Sequence, residues 1–269
     1  MSALDGFAVL VTGGGSGIGA ACAERIAADG ARVTICGRTE SKLAETAERI
    51  GGNVRYAIAD VTSEDDVARL VADAVADAGR LDGVVANAGG GGPLGPYHLQ
   101  DVAAFQQVLT LNVVGTMLLM KHAVPHLAKH GGSFVGMSSV AGALTHPFFG
   151  AYPVAKAGIE QLIRNAADEY GRAGVRCNAV QPGFTSTELM QVIPRESPVY
   201  ESYVTNTPMN GVAEPEDVAQ LVRFLIGPES RWITGQVIAV DGGHSLRRGP
   251  DYSAFLPHLA TDPVIGAPG

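Results

Sequence analysis

Seven short apolar runs, separated by longer amphipathic stretches, leave this chain of 269 residues few folds to adopt. The runs are Phe7–Thr12, Arg32–Cys36, Val54–Ile58, Gly83–Ala86, Ser133–Met137, Arg176–Val180 and Val237–Val240. They are apolar on both faces and rich in Val and Ile, the pattern of strands covered by helices on both sides. Helical spacing of apolar residues recurs between them over Gly19–Ala28, Glu40–Ile50, Glu64–Ala78, Ala103–Lys129, Ala151–Arg172 and Glu214–Leu225. Gly30, Gly51 and Gly79 fall where helix ends belong, and Ser63 with Asp66 and Glu214-Pro215 read as helix starts. This alternation predicts an α/β fold: one doubly wound, parallel seven-stranded sheet, Rossmann-like, in a single domain over residues 1–269. Two stretches break the pattern, residues 185–211 and the Pro- and Gly-rich residues 244–269.

Composition narrows the function classes. A net charge of −8 argues against a nucleic-acid binder, which would carry a basic face. Cys22, Cys36 and Cys177 are scattered and odd in number, so reduced thiols are expected rather than a disulfide framework or a zinc knuckle. The N-terminus lacks a basic n-region and its apolar run is short; no unbroken run of 18 apolar residues occurs. A cytoplasmic protein with no membrane partner is the expectation.

The first strand runs into Val11-Thr12-Gly13-Gly14-Gly15-Ser16-Gly17-Ile18-Gly19-Ala20. A glycine-rich turn between a strand and a helix lets backbone N–H groups and a helix N-terminus face a pyrophosphate, with glycines where side chains would block the approach. Taken alone, such a loop is also a plain turn; its place after the first strand favours nucleotide binding. Thr12-Gly13-x-x-x-Gly17-x-Gly19 resembles the cofactor motif of the short-chain dehydrogenase/reductase family. Asp60-Val61 is similar to that family's adenine-contacting Asp, and Asn87-Ala88-Gly89 to its Asn-Asn-Ala-Gly segment, with Ala86 in place of the first Asn. Pro182-Gly183-x-x-x-Thr187 resembles its nicotinamide-side motif. The resemblance covers Leu4 to Gly243 and implies a cofactor site formed by Thr12, Gly13, Ser16, Gly17, Ile18, Gly19, Asp60, Val61, Asn87, Ala88, Gly89, Tyr152, Lys156, Pro182, Gly183 and Thr187, to which the position of Arg38 after the second strand adds that residue.

The sharpest local signal is Tyr152-Pro153-Val154-Ala155-Lys156, which places Tyr152 and Lys156 four apart on one helix face. Such a pair also occurs by chance; Ser139, thirteen residues earlier at a strand end, gives it a ligand-binding context. Hydride transfer to or from a carbinol carbon requires a proton exchange at its oxygen. A phenol with a pKa of about 10 is too basic for this near neutrality, and a nearby ammonium lowers it. Tyr152 is thus expected as general acid in reduction and base in oxidation, tuned by Lys156, with Ser139 donating to the substrate oxygen. Ser138 is adjacent, and spacing favours Ser139. The resemblance gives Lys156 a second role on the ribose hydroxyls, and gives Asn112 a fourth catalytic role, holding a water that connects Lys156 to solvent. The other reading of Asn112 is a satisfied buried amide at a helix irregularity.

NADP(H) is the expected cofactor, with NAD(H) left open. The acidic position of an NAD site falls on Gly37, and Arg38 follows, placed either to pair with a 2′-phosphate or to stack on adenine. Ser16 is not basic, so a second phosphate contact is lacking. No metal is expected: His122, His126 and His130 recur at helical spacing without an HExxH pattern and read as a solvated helix end. The substrate is expected to be a small molecule, an apolar secondary alcohol or ketone of lipid-, steroid- or acyl-like kind. Reduction of an enoyl or dienoyl thioester and non-catalytic NADP sensing are the alternatives. The resemblance also implies a homotetramer paired through Ala103–Lys129, Ala151–Arg172 and Val237–Val240. Residues 185–211 are expected to form a substrate lid. Residues 244–269, with Tyr252, Phe255, Leu256 and Leu259, either dock, in one version on a neighbouring subunit, or form a disordered end.

Overall fold

A computed structural model of the chain describes residues 2–247, 249 and 252–258, with residues 189, 191 and 253 described by their backbone alone. Seven strands form one sheet: β1 (Ala8–Thr12), β2 (Arg32–Gly37), β3 (Val54–Ile58), β4 (Gly83–Ala86), β5 (Ser133–Met137), β6 (Arg176–Pro182) and β7 (Val237–Val240). Their order is β3-β2-β1-β4-β5-β6-β7 and every pairing is parallel. The Rossmann-like sheet expected from the alternation is therefore present. The order reverses between β1 and β4, where Val9 stands opposite Gly83. Helices leave from opposite faces at such a switch point and open a crevice at the strand C-termini.

The helices are α1 (Gly17–Ala28), α2 (Glu40–Ile50), α3 (Glu64–Ala78), α4 (Val102–Leu109), α5 (Gly115–Leu127), α6 (Tyr152–Tyr170), α7 (Pro198–Asn206) and α8 (Pro215–Ile226). One buried cluster joins β1 and β2 to α1, α2 and α8 through Val9, Val33, Ile35, Ile26, Leu43 and Val222. A second joins Leu10, Val84 and Phe134 to Leu70 of α3, Leu119 of α5 and Ile163 of α6. Alternate residues of the same strand thus serve opposite layers, which is why the strand runs carry no polar face. Phe134 is fully buried, and cutting it to Ala would cost about 3–5 kcal/mol.

Local signals explain most element ends. The Ser63 side chain accepts from Asp66 N and opens α3. Glu214 N donates to the Asp217 carboxylate at 2.9 Å at the start of α8. Gly51 and Gly79 close α2 and α3 as expected, whereas α1 ends on Asp29, one residue before Gly30. Arg176 donates to the carbonyls of Leu225 at 2.8 Å and Gly227 at 3.2 Å, satisfying acceptors left at the end of α8.

The helix expected over Ala103–Lys129 is corrected. A π turn at Thr110–Val114 splits it into α4 and α5. The run Val102–Leu127 is apolar and long enough to cross a membrane by length and composition. In this structure its α5 part packs on the sheet and α3 through Leu118, Leu119, Ala123 and Leu127. The three cysteines are buried and free. His122 lies 3.2 Å from a Glu64 oxygen, and among the described residues no group of three His, Cys, Asp or Glu side chains converges on a metal-sized site.

Candidate active site

The residues singled out in the sequence gather at the C-terminal ends of β1, β4, β5 and β6. Thr12 ties the switch point together. Its hydroxyl accepts from Asn87 N at 3.1 Å and Ala88 N at 3.0 Å, and the Asn87 side chain donates to Thr12 O at 3.0 Å. These two residues thereby join β1 to β4.

The glycine turn is explained by close approach. Gly13 and Gly17 have φ of +65° and +51°, a region L side chains rarely adopt. A Cβ on Gly19 would stand 2.2 Å from Gly13 O and 2.5 Å from Asn87 Nδ2. Ser16 caps α1 with extended backbone and no side-chain bond to the helix, leaving its hydroxyl out of the capping role. Thr187, just past Pro182-Gly183, faces Gly17, whose Cβ would lie 3.2 Å from Thr187 Cγ2. Two motifs 170 residues apart in sequence thus meet across one turn. Ile18 packs beneath it on the α1 side of the core.

At the adenine side, Asp60 accepts from Thr62 N at 2.9 Å and Thr62 Oγ1 at 2.8 Å. These bonds, with Arg38 as a further influence, hold its carboxyl below the usual carboxylate range. Val61 is buried beside Gly115. Arg38 is exposed at the end of β2. A Cβ on Gly37 would meet only Leu43 methyls at 3.6 Å and beyond, so a side chain fits there.

Tyr152 opens α6, and Lys156 follows one turn later on the same face. Burial pushes the Tyr152 hydroxyl up to about 12, partly offset by a hydrogen bond with Ser139. Burial also brings the Lys156 ammonium down to about 8. Lys156 Nζ donates to Met137 O at 2.8 Å and stands 5.3 Å from the centre of the Tyr152 ring. The expected lowering of the phenol by Lys156 is not found in this geometry, because desolvation dominates both groups and the ammonium is turned to a carbonyl. Ser139 Oγ accepts from Ala141 N at 3.2 Å besides its bond with Tyr152. Ser138 is directed elsewhere, donating to Glu160 at 2.7 Å, which separates the two neighbouring serines.

Asn112 sits in the π turn, fully buried. Nδ2 donates to Gly90 O at 2.9 Å and Val108 O at 2.8 Å, and Oδ1 accepts from Gly90 N at 3.3 Å. Both readings of this residue thus have a foothold. Its amide is satisfied at a helix irregularity, yet a Cβ on Gly89 would lie 2.5 Å from Asn112 Oδ1 and 3.2 Å from Lys156 Nζ. Only one Oδ1 lone pair is left for a water.

Two groups were missed in the sequence. Glu160 is buried and accepts from Ser138 and, at 2.6 Å, from Gln181 Nε2. Tyr152, Lys156 and Glu160 advance by fours, so a third residue on the reactive face of α6 was legible. His146 is buried with Nδ1 2.9 Å from Leu144 O, and burial depresses it to about 4; no sequence signal pointed to it. On the far side of Tyr152 lies an apolar wall of Phe184, Ile193, Val199, Tyr203 and Tyr252, with Phe148, Phe149, Met190 and Phe255 packed against it. The tail therefore docks on its own chain at Tyr252; Leu259 lies outside the described residues.

A dinucleotide fits this crevice. The turn Gly13–Gly19 carries glycine where backbone must come close, the α1 N-terminus faces it, and Thr187 borders it from the β6 side. A phenol, a hydroxyl and an ammonium then converge beyond the cofactor cradle, a set suited to proton exchange at an oxygen.

The comparisons agree with this geometry. Residues 13–245 match a family model described as Enoyl-(Acyl carrier protein) reductase. The chain is 38% identical over 239 residues to cis-4-hydroxycyclohexanecarboxylate dehydrogenase of Sinomonas cyclohexanicum, covering 88% of this chain and 95% of that protein. It is 36% identical over 249 residues to 2,5-dichloro-2,5-cyclohexadiene-1,4-diol dehydrogenase of Sphingobium indicum, covering 90% and 98%. A solved short-chain type dehydrogenase/reductase from Mycobacterium ulcerans is 43% identical with a TM-score of 0.95, covering 99% of this chain and 100% of that one. The strand order, the glycine turn that needs its glycines, and the matched length together make this chain a member of the short-chain dehydrogenase/reductase family, oxidoreductases that act on CH–OH groups with NAD(P).

Proposed function

We propose that the protein transfers hydride between NADP(H) and an apolar, ring-bearing secondary alcohol or its ketone. The observation that carries this reading is the convergence of Ser139, Tyr152 and Lys156 between the glycine turn and an aromatic wall. The bound nicotinamide supplies the hydride acceptor or donor. Tyr152 gives the proton to the ketone oxygen in reduction and removes it from the alcohol in oxidation. Ser139 donates a hydrogen bond to the same oxygen, where charge develops. Lys156 stands beside the tyrosine ring, its low proton affinity suiting it to pass a proton near neutrality. Thr12, Gly13, Ser16, Gly17, Ile18, Gly19, Asp60, Val61, Asn87, Ala88, Gly89, Pro182, Gly183 and Thr187 border the dinucleotide, Arg38 takes the 2′-phosphate, and Asn112 fixes the loop beside Lys156.

Ring substrates are favoured because the reactive tyrosine is flanked by Phe149 and an apolar, largely aromatic cluster around Phe184, Tyr203 and Tyr252. Two of the relatives above are named for cyclohexane or cyclohexadiene alcohols, in keeping with such a wall. Residues 185–211, carrying α7, close over the substrate as a lid in a single-domain enzyme. Val114, Met117 and Val154 are exposed on the helical segments where a homotetramer would pair, and light scattering reads its mass. In the main test, Tyr152→Phe is assayed with cyclohexanol and with cyclohexanone plus NADPH. Loss of turnover with unchanged NADPH affinity supports the reading; retained turnover overturns it.

A further inference from the structure

Three aromatic rings link the C-terminal segment to Tyr152. Tyr252 stacks on Phe149 with centroids 4.7 Å apart and planes 27° apart. Phe149 in turn packs on Tyr152 at 4.9 Å and 35°. The outer ring is anchored: Tyr252 is 2% exposed, and its hydroxyl is 2.7 Å from that of Tyr203 on α7, itself stacked on Phe184 at 4.4 Å. The middle ring is delivered by strained backbone. Phe148 has φ of +66°, which a residue with a side chain rarely adopts, and Gly95 N donates to Phe148 O at 2.8 Å to hold it. The same segment presses on this loop a second time. A Cβ on Gly249 would stand 2.3 Å from Thr145 O and 3.3 Å from the His146 ring.

We propose that Tyr252 is a positioning residue of the active site: its anchored ring, acting through Phe149, fixes the plane and depth of the Tyr152 ring and keeps water from it. Residues close to the chain's C-terminal end thereby complete the reactive geometry, and they do so within the same chain. Strain at Phe148 persists only where its surroundings over-determine it, and the tail supplies part of that surrounding. The inference rests on Tyr152 being the proton carrier. The titratable groups facing Tyr152 or this stack are Lys156 on α6, Tyr203 on α7, Tyr252 in the tail, His146 in the Thr145–Phe149 loop and His244 against the edge of Tyr203. Desolvation is the largest influence on the Tyr152 hydroxyl and raises it, so loosening the stack lowers it.

The test uses the full chain with NADPH and cyclohexanone, and with NADP and cyclohexanol. Tyr252→Leu keeps apolar volume but removes the ring; Tyr252→Phe keeps the ring and loses only the hydroxyl pair. Tyr252→Leu is expected to lower kcat about 10- to 100-fold, as a displacement of about 1 Å does. NADPH affinity, by fluorescence titration, stays within about twofold, well under the tenfold that 1.4 kcal/mol represents. The rising, low-pH limb of the profile for oxidation, set by Tyr152 as the base, moves to lower pH, and Tyr252→Phe stays near the parent in both respects. In a double-mutant cycle with Phe149→Leu the two losses do not add, because one acts through the other. An unchanged kcat in Tyr252→Leu overturns the proposal, as do additive losses, an equal fall in cofactor affinity, or a Tyr252→Phe variant as impaired as Tyr252→Leu. Activity in Tyr152→Phe would instead bring down the assignment of Tyr152 and is read separately.

Discussion

The two sides of the crevice are built on different principles. The cofactor side, from β1 to β4, is shaped by close backbone approach, Gly19 against Gly13 O, and by short side chains bonded to backbone, Asn87 and Thr12, across two strand ends. The substrate side is shaped by side chains from segments far apart in sequence, with Phe149, Phe184, Tyr203 and Tyr252 meeting ring to ring. Backbone contacts of the first kind tolerate one residue type and no other. Ring contacts of the second kind accept many shapes, so one scaffold can bind a fixed cofactor and varied substrates.

The sharpest way to break this contrast is Gly19→Val. The added carbons must displace Gly13 O, so detectable NADPH binding by fluorescence titration is expected to vanish. Retained binding would show that the turn yields more than its geometry allows. Gly37→Asp comes next. It fits sterically and sets a carboxylate at the acidic position beside Arg38. The ratio of kcat/KM for NADPH over NADH is expected to fall on the order of 100-fold, the effect of removing one charge-assisted hydrogen bond. An unmoved ratio would remove the 2′-phosphate from Arg38.

Legibility followed the same divide. The seven strands, the glycine turn, Ser139, Tyr152 and Lys156 could be read because each obeys a local period or spacing. The aromatic wall could not. Phe149, Tyr203 and Tyr252 are distant in the chain, and nothing local says which rings will touch. His146 is invisible for the same reason, since only burial makes it unusual. Even on the cofactor side the sequence fell short at Lys156, whose bond to Met137 O depends on how deeply α6 sits against β5.

His146 also carries a pH effect for the substrate side. Its folded pKa of about 4 lies below the unfolded value of 6.5, through burial chiefly and His244 in part. The unfolded chain therefore binds the extra proton first as pH falls below 6.5, and stability declines until the folded group titrates near 4. Between pH 7 and pH 5 the loss is expected to be about 2 kcal/mol by urea unfolding. His146→Asn should remove most of that slope, leaving the share of His126, which burial also lowers; an unchanged slope would acquit His146. The smallest effect is expected where the two sides are joined across the surface. Lys42 of α2 pairs with Glu188 beyond Thr187, both well exposed. Lys42→Ala should change stability by no more than about 0.5 kcal/mol. A larger loss would mean the two sides are coupled mechanically at the mouth.

The π turn at Thr110–Val114 has a consequence for how α4 and α5 relate. A surplus residue in a helix is a slip of phase: with 3.6 residues per turn, everything beyond it is rotated by about 100° relative to what precedes it. A helical wheel drawn over Val102–Leu127 as one rod therefore superimposes two wheels out of step. That blurs the apolar stripe and makes the run look uniformly greasy. Shortening the turn by one residue would realign α4 and α5 and swing Leu118, Leu119 and Leu127 off the sheet. The spacing between Asn112 and those leucines is thus as much a part of the design as the side chains themselves.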